Sequence, residues 1–336
     1  MTMKKVLITT TKFHGDAEER LSKAADLILV SPDHEEIIKK VRDVDAAIVG
    51  AGIFDEEVFE SANKLKIVSK FGVGYDNIDV EAASRRGIYV TIAPTPELIT
   101  AVAEFALGLI LSLAKLIPPA NEYLKGEGYS RMRRWDHILR ICEERSQPMM
   151  NLRGRTVGIV GLGRIGSELA LKCKCLGMKV LYYDVVRKRS MEERYGVEYV
   201  DLDDLLRRSD FVSLNVPLTK KTRGLIGRRE LALMKPSAYL INTSRGRVVD
   251  QKALYEALKD RRIAGAALDV FEEEPIPPED PILKLDNVIV TPHIAAASAE
   301  SIRSVSLTVC EDIMKVLEGK KPNINHLVNP EVLERH

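Results

Sequence analysis

Three apolar runs of this chain lead into polar side chains whose types form a coherent set for proton-coupled hydride chemistry. "LINTSRGRVVD" (240–250) ends its hydrophobic stretch at Arg245. "ALDVFEEEP" (267–275) runs into Asp269 and then Glu274, and "NVIVTPHIAAAS" (287–298) runs into His293. An imidazole carries a proton, a carboxylate orients and polarises it, and a permanent cation holds an anionic substrate, which is the set that hydride chemistry needs. Singly, each has an ordinary explanation: a surface arginine, a solvated acidic turn over Glu272–Glu274, a turn histidine after Thr291-Pro292. His293 is favoured by elimination. His14, His34, His137, His326 and His336 fall in helix-like, loop or terminal contexts, whereas His293 follows a buried-looking strand. The small residues Ala295–Ala297 permit close approach to a cofactor.

A second constellation suits a dinucleotide. "VGIVGLGRIGSELA" gives Gly161-x-Gly163-x-x-Gly166 after an apolar strand and at the start of a helix. Gly161 allows the tight turn, Gly163 the approach of a pyrophosphate and Gly166 the packing of helix on strand. The helix start, with Arg164 and Ile165, offers N–H groups to the anion. Eighteen residues after Gly166, "KVLYYD" ends in Asp184, placed to accept from the adenosine ribose hydroxyls and to repel a 2′-phosphate. The chemistry predicts NAD. Arg187, Lys188 and Arg189 follow closely and keep NADP as the second choice.

The elements that must position these residues alternate. Val/Ile/Leu-rich runs at "KVLITT", "LILV", "AAIVG", "LKIVSKFG" and "IYVTIA" are separated by charged helical stretches. The rhythm restarts after "NLRGRT" with "VGIVGLG", "KVLYYD", "FVSLNVP", "AYLINTS", "IAGAALDV" and "VIVTP". This is the pattern of parallel βα units, given twice, and predicts an α/β protein of two doubly wound domains. A long connecting helix is expected over 97–116, and a last helix, about 298–318, is free to fold back on the first domain. The predicted division is 1–99 with 297–336, and 100–296. The stretch 117–150, with Pro118-Pro119, "RMRR" (131–134) and Trp135, is the least regular.

Composition narrows the function classes. With 336 residues the chain suits two domains, and 45% hydrophobic with 29% charged residues is an ordinary globular balance. A formal charge of +1 gives no global field to recruit nucleic acid or an anionic membrane. Cys142, Cys173, Cys175 and Cys310 form no disulfide framework, and Cys173-x-Cys175 lacks a second ligand pair, so no metal is expected and a reducing cytoplasm is. The N-terminus fits a first strand better than a signal peptide, and "FALGLILSLA" (105–114) is too short to span a bilayer.

The ordered run "VGIVGLGRIG…YYD…NVPLTKKTRGLI…LMKPSAYLINTSRGRVVD…AGAALDVFEEEP…TPHIAAAS", with "FGVGYDNIDVEAASRRGI" upstream, resembles the NAD-dependent D-2-hydroxyacid dehydrogenases over most of the chain. The resemblance implies a Rossmann-type cofactor domain plus a flavodoxin-like substrate domain, with the active site in the cleft. It implies a catalytic set of Arg245, Glu274 and His293, a helix crossing between domains near 97–116, and a C-terminal helix returning to the first domain. It also implies a homodimer, with the cofactor domain making much of the contact. Reduction of a 2-oxo acid then has Arg245 binding carboxylate and carbonyl as a planar fork. Val73 and Gly74 give backbone N–H groups to the carboxylate, and His293, braced by Glu274, passes the proton while hydride moves between nicotinamide C4 and substrate C2. Thr243 and Ser244 line the nicotinamide ribose, Asp269 faces its amide, and Val216, Pro217 and Thr222 flank the adenosine or pyrophosphate.

The sequence departs from the family at Ile92-Ala93-Pro94-Thr95, where Asn-x-Pro-Gly is frequent. "PELITAV" lacks the Asn and Thr pair expected of many phosphoglycerate enzymes, and "RMRRW" is more basic than usual. The substrate choice is 3-phosphoglycerate or glyoxylate/hydroxypyruvate. The competing function is a dinucleotide-sensing, corepressor-like binding protein on the same fold. A formate dehydrogenase typically pairs its histidine with Gln, which Glu274 argues against.

Overall fold

The computed structural model describes residues 3–125, 142–143 and 148–334. The basic cluster at 131–134, Trp135, His137 and His336 lie outside the described residues. The chain divides into two units, Met1–Ile99 with Ala296–His336, and Thr100–Ala295.

Short runs of Val, Ile, Leu and Ala, apolar on both faces, form strands covered from both sides. In the first unit these are β1 (Lys4–Ile8), β2 (Ala25–Leu29), β3 (Ala46–Val49), β4 (Ile67–Lys70) and β5 (Tyr89–Thr91). All pair in parallel in the order β2-β1-β3-β4-β5, the flavodoxin arrangement. Three of the intervening helices start where an aspartate accepts a hydrogen bond from a first-turn N–H: Asp33 from Glu36, Asp55 from Val58, Asp79 from Ala82. The last helix, Ala299–Leu317, belongs to this unit and packs along the helix Gly15–Ser22, with Arg303 donating to Asp16 at 2.8 Å. Beyond it the chain lies along the exposed side of β5. Ile92 N–H donates to the His326 carbonyl at 2.9 Å and Val328 N–H to the Val90 carbonyl at 2.8 Å, so that edge is covered.

The second unit holds β6 (Thr156–Val160), β7 (Lys179–Tyr183), β8 (Glu198–Tyr199), β9 (Phe211–Leu214), β10 (Tyr239–Asn242), β11 (Gly265–Leu268) and β12 (Val288–Val290). The order is β12-β11-β10-β9-β6-β7-β8, all parallel, reversing direction between β6 and β9. At such a reversal, loops from the carboxyl ends of the strands diverge and leave a crevice. Apolar layers cover both faces of this sheet.

Two expectations need correction. The apolar run at 105–114 belongs to a 20-residue helix, Pro96–Lys115, long and apolar enough by length and composition to cross a membrane. Half of its apolar window is buried in the fold, where Ala103, Ala106, Leu109, Ile110, Leu113 and Ala114 join the core against β6 and β10. Its hydrophobicity thus has a use inside the protein. The strand before His293 is not a buried one: β12 is the sheet edge, with neighbours on one side only, and Val290 is 39% exposed.

Candidate active site

Local geometry at the end of β6 follows from its glycines. Gly161 has φ +93, and a Cβ there would lie 2.7 Å from the Asn215 carbonyl oxygen on the neighbouring strand end. A Cβ on Gly166 would lie 2.1 Å from the Gly161 carbonyl oxygen, which fixes how closely helix and turn meet. At Gly163, in contrast, a Cβ would meet nothing within 4 Å. Gly163 is also the N-cap of the helix Arg164–Cys175 and has no side chain to cap it, so the first-turn N–H groups face an open space suited to an anion.

Asp184, just past β7, folds around the same turn. It accepts from Leu162 N–H at 2.8 Å and from Val186 N–H at 3.1 Å. At the ends of β9 and β10, Asn215 Oδ1 and Thr243 Oγ1 are buried with no hydrogen-bond partner. A buried polar atom left unsatisfied costs about 1–3 kcal/mol, so two of them beside an open glycine turn fit a polar ligand. These residues suit a nicotinamide dinucleotide. Other expected contacts have local duties: the Thr222 hydroxyl donates to the Pro217 carbonyl at 2.6 Å and the Ser244 hydroxyl to Asn242 Oδ1 at 2.8 Å. Val216 packs beside Gly161.

Arg245, Glu274 and His293 come together at the carboxyl edge of this sheet. His293 Nδ1 and Glu274 Oε2 are 2.6 Å apart, and the other Glu274 oxygen accepts from Phe271 N–H at 3.0 Å. Burial alone would raise the Glu274 carboxyl. The hydrogen bond and charge of His293, the Phe271 N–H and the nearby Arg245 charge outweigh it and hold the carboxyl below its ordinary value. Arg245 Nη1 donates to the Ser244 carbonyl at 2.8 Å, and the Asn242 amide donates to the Arg245 carbonyl at 3.0 Å. The next residue sits directly on the Phe271 backbone: a Cβ on Gly246 would be 1.8 Å from the Phe271 carbonyl carbon. That contact ties the arginine loop to the loop bearing the glutamate.

His293 has φ +52, a left-handed backbone unusual outside glycine. Its N–H donates to the Asp269 carbonyl at 2.9 Å. The fully buried Asp269 side chain accepts from the Thr291 hydroxyl at 2.6 Å, Ile294 N–H at 3.0 Å and Ala295 N–H at 2.8 Å. Sequence reasoning assigned Asp269 to the cofactor and missed this clasp on the histidine turn. A carboxylate has about four acceptor positions, so one direction is left for an amide. Also missed was the anchoring Phe271 N–H, which no side-chain pattern announces.

Other imidazole–carboxylate pairs exist. His34 lies 3.0 Å from Asp55 and His326 lies 2.7 Å from Asp312, both in the first unit. His14 caps a helix. His293 differs in sharing a sheet edge with the glycine turn. In the first unit, Val73 and Gly74 follow β4 in a turn opened by Gly72 at φ +127.

Comparison with known proteins agrees with this architecture. Residues 107–295 match the family model for the NAD-binding domain of D-isomer-specific 2-hydroxyacid dehydrogenases. The chain is 48% identical over 305 residues to a glyoxylate reductase of Korarchaeum cryptofilum, covering 90% of this chain and 88% of that protein. It is 43% identical over 321 residues to a D-3-phosphoglycerate dehydrogenase of Methanocaldococcus jannaschii, covering 95% of this chain and 58% of that one. A solved D-lactate dehydrogenase of Aquifex aeolicus, complexed with NAD and lactic acid, superposes with a TM-score of 0.85 at 30% identity over 97% of this chain and 99% of that one.

Proposed function

Since the chain belongs to the D-isomer-specific 2-hydroxyacid dehydrogenases, nicotinamide-dependent oxidoreductases, we propose that it reduces a small 2-oxo acid of the glyoxylate/hydroxypyruvate class, with NADH as its cofactor. The observation that carries the assignment of roles is the 2.6 Å His293–Glu274 pair beside Arg245, on the same sheet edge as the glycine turn. The glyoxylate reductase is the more similar of these two relatives, 48% against 43% identical, which supports the smaller substrate.

Arg245 binds the substrate carboxylate and the carbonyl oxygen, where a planar guanidinium gives paired donors that a lysine lacks. His293 in its protonated form donates from Nε2 to the carbonyl oxygen as negative charge develops there, since Nδ1 is engaged by Glu274. Glu274, ionised, orients the ring and stabilises the imidazolium; in the oxidative direction the same ring accepts the proton. The bound nicotinamide supplies or receives the hydride. Thr243 and Ser244 are proposed for its ribose, the remaining acceptor direction of Asp269 for its amide, and Val216, Pro217 and Thr222 for the adenosine and pyrophosphate. Asp184 takes the adenosine ribose hydroxyls. Val73 and Gly74 are proposed as carboxylate donors, on their turn at the end of β4. The domain roles follow: cofactor binding by 100–295, substrate binding by 1–99 with 296–336. A homodimer is the proposed assembly.

The test is NADH oxidation with glyoxylate, hydroxypyruvate, pyruvate and phosphohydroxypyruvate. Turnover with the first two at the highest kcat/KM is expected. A preference for phosphohydroxypyruvate would transfer the assignment to 3-phosphoglycerate chemistry, and no turnover with any would remove it.

A further inference from the structure

The nucleotide end of the site contains a second device beyond Asp184. Resting on the assignment of Asp184 to the adenosine ribose, we propose that Glu192 is a positioning residue for cofactor choice. By holding the Arg187 guanidinium against Tyr199, it keeps that cation from a 2′-phosphate, so the protein selects NADH by sequestering a cation as well as by presenting an anion.

Four observations carry this. First, Asp184 accepts from the N–H of Val186, so the chain turns back on the carboxylate at once and brings residues 185–188 around the ribose position. Second, Val185 and Val186 are 87% and 57% exposed and bring no charge to that turn, and Arg187 is the next side chain. Third, Arg187 is held from both sides. Its Nε and Nη2 donate to the two Glu192 oxygens at 2.9 and 2.7 Å, and its guanidinium lies over the Tyr199 ring at 5.4 Å. Fourth, Glu192 is itself held. The buried Tyr182 hydroxyl donates to it at 2.7 Å, accepts from Lys188 N–H at 2.8 Å, and its ring meets Tyr199 edge-on at 5.3 Å. The carboxyl is accordingly pulled down to about 2, first by Arg187 and then by Tyr182.

A bidentate guanidinium stacked on an aromatic ring is the arrangement by which an arginine recognises a phosphate. In this chain the same geometry is spent on an internal carboxylate. An arginine near the end of this strand accommodates a 2′-phosphate in dinucleotide folds that take NADP. Removing the opposing Asp184 charge therefore admits a phosphate, and releasing Arg187 in addition gives that phosphate a cation and a stronger site.

The experiment measures competitive inhibition against NADH by adenosine 2′,5′-bisphosphate and by 5′-AMP, in Asp184→Ser, in Asp184→Ser with Glu192→Gln or Glu192→Ala, and in the latter with Arg187→Gln added. Asp184→Ser alone should tighten the bisphosphate relative to 5′-AMP. Opening the Glu192 contact should tighten it by about tenfold more, the scale of one charge-assisted hydrogen bond, with 5′-AMP unchanged, and Arg187→Gln should erase that increment. The proposal is overturned by no increment from either Glu192 variant, by an equal change in both ligands, or by an increment that survives loss of Arg187. If Asp184→Ser fails to distinguish the two ligands, the adenosine site itself has been misassigned and the proposal goes with it.

Discussion

His293 holds a left-handed backbone that a non-glycine residue adopts at a cost of about 1–3 kcal/mol, and it is kept there by the Asp269 clasp. Strain stored at the proposed proton-transfer group separates function from stability. His293→Asn, with a side chain that tolerates this conformation, should lower kcat about 10²–10⁴-fold while leaving the urea midpoint unchanged or higher. A matching fall in stability would show that the imidazole serves the fold. Asp269→Ala should lower both, destabilising by roughly 3 kcal/mol or more as three donors lose their acceptor, and lowering kcat because the histidine turn loosens. For Arg245→Ala we expect KM to rise and kcat to fall together, as befits a group bound to substrate in ground and transition states, and an unchanged KM would remove its carboxylate role. At this scale the convergence of Arg245, Glu274 and His293 was legible, because each follows an apolar run within a few residues of a strand end. The duty of Asp269 stayed hidden because its donors, Thr291, Ile294 and Ala295, lie on another loop, and neither residue type nor spacing announces such a clasp. The His34–Asp55 and His326–Asp312 pairs were equally invisible, so elimination by context favoured His293 for an incomplete reason.

Among elements, apolar runs bounded by turn residues marked most strands, since a parallel strand covered on both faces has little freedom in composition. β8 escaped notice: two residues, Glu198–Tyr199, pair only with β7 and carry no apolar run. β12 misled because a Val/Ile run reads as interior, although its place at the sheet edge is set by strand order, which periodicity does not encode. The glycine turn was legible through spacing, and its packing now gives a graded test. Gly166→Ala places a methyl against the Gly161 carbonyl and should cost about 1–3 kcal/mol or more, with weaker NADH binding, whereas Gly163→Ala, facing open space, should spare stability and weaken NADH alone. Equal loss of stability in both would contradict the geometry. The helix Arg189–Tyr195 adds a pH test through Glu192, whose carboxyl falls from 4.5 to about 2 on folding. A depressed acid contributes stability that is complete above the unfolded value and is lost as pH drops through the folded one. Wild type should therefore exceed Glu192→Gln in urea midpoint above pH 4.5, with the gap closing toward pH 2. A gap independent of pH would mean that the carboxylate charge contributes nothing.

For the whole molecule, a formal charge of +1 means that no long-range field draws substrate in, so recognition rests on local groups. The two units have separate cores, one around Leu7, Phe54, Phe59 and Val68, the other layered on both faces of the β6–β12 sheet. The chain passes between them within the helix Pro96–Lys115, after Ile99, and again after Ala295, two residues beyond His293. The glycine turn, Asp184, Arg245, Glu274 and His293 all belong to the Thr100–Ala295 unit, so a nucleotide without the nicotinamide ring should stabilise that unit and leave the other alone. ADP-ribose at about 100 times its Kd contributes about 2.7 kcal/mol, which for a unit of this size is a rise of roughly 5–10 °C. Scanning calorimetry should thus show one transition moving by that amount and one staying in place. A joint shift would mean that the units unfold as one cooperative block, and the absence of any shift at saturating ligand would place the adenosine site elsewhere.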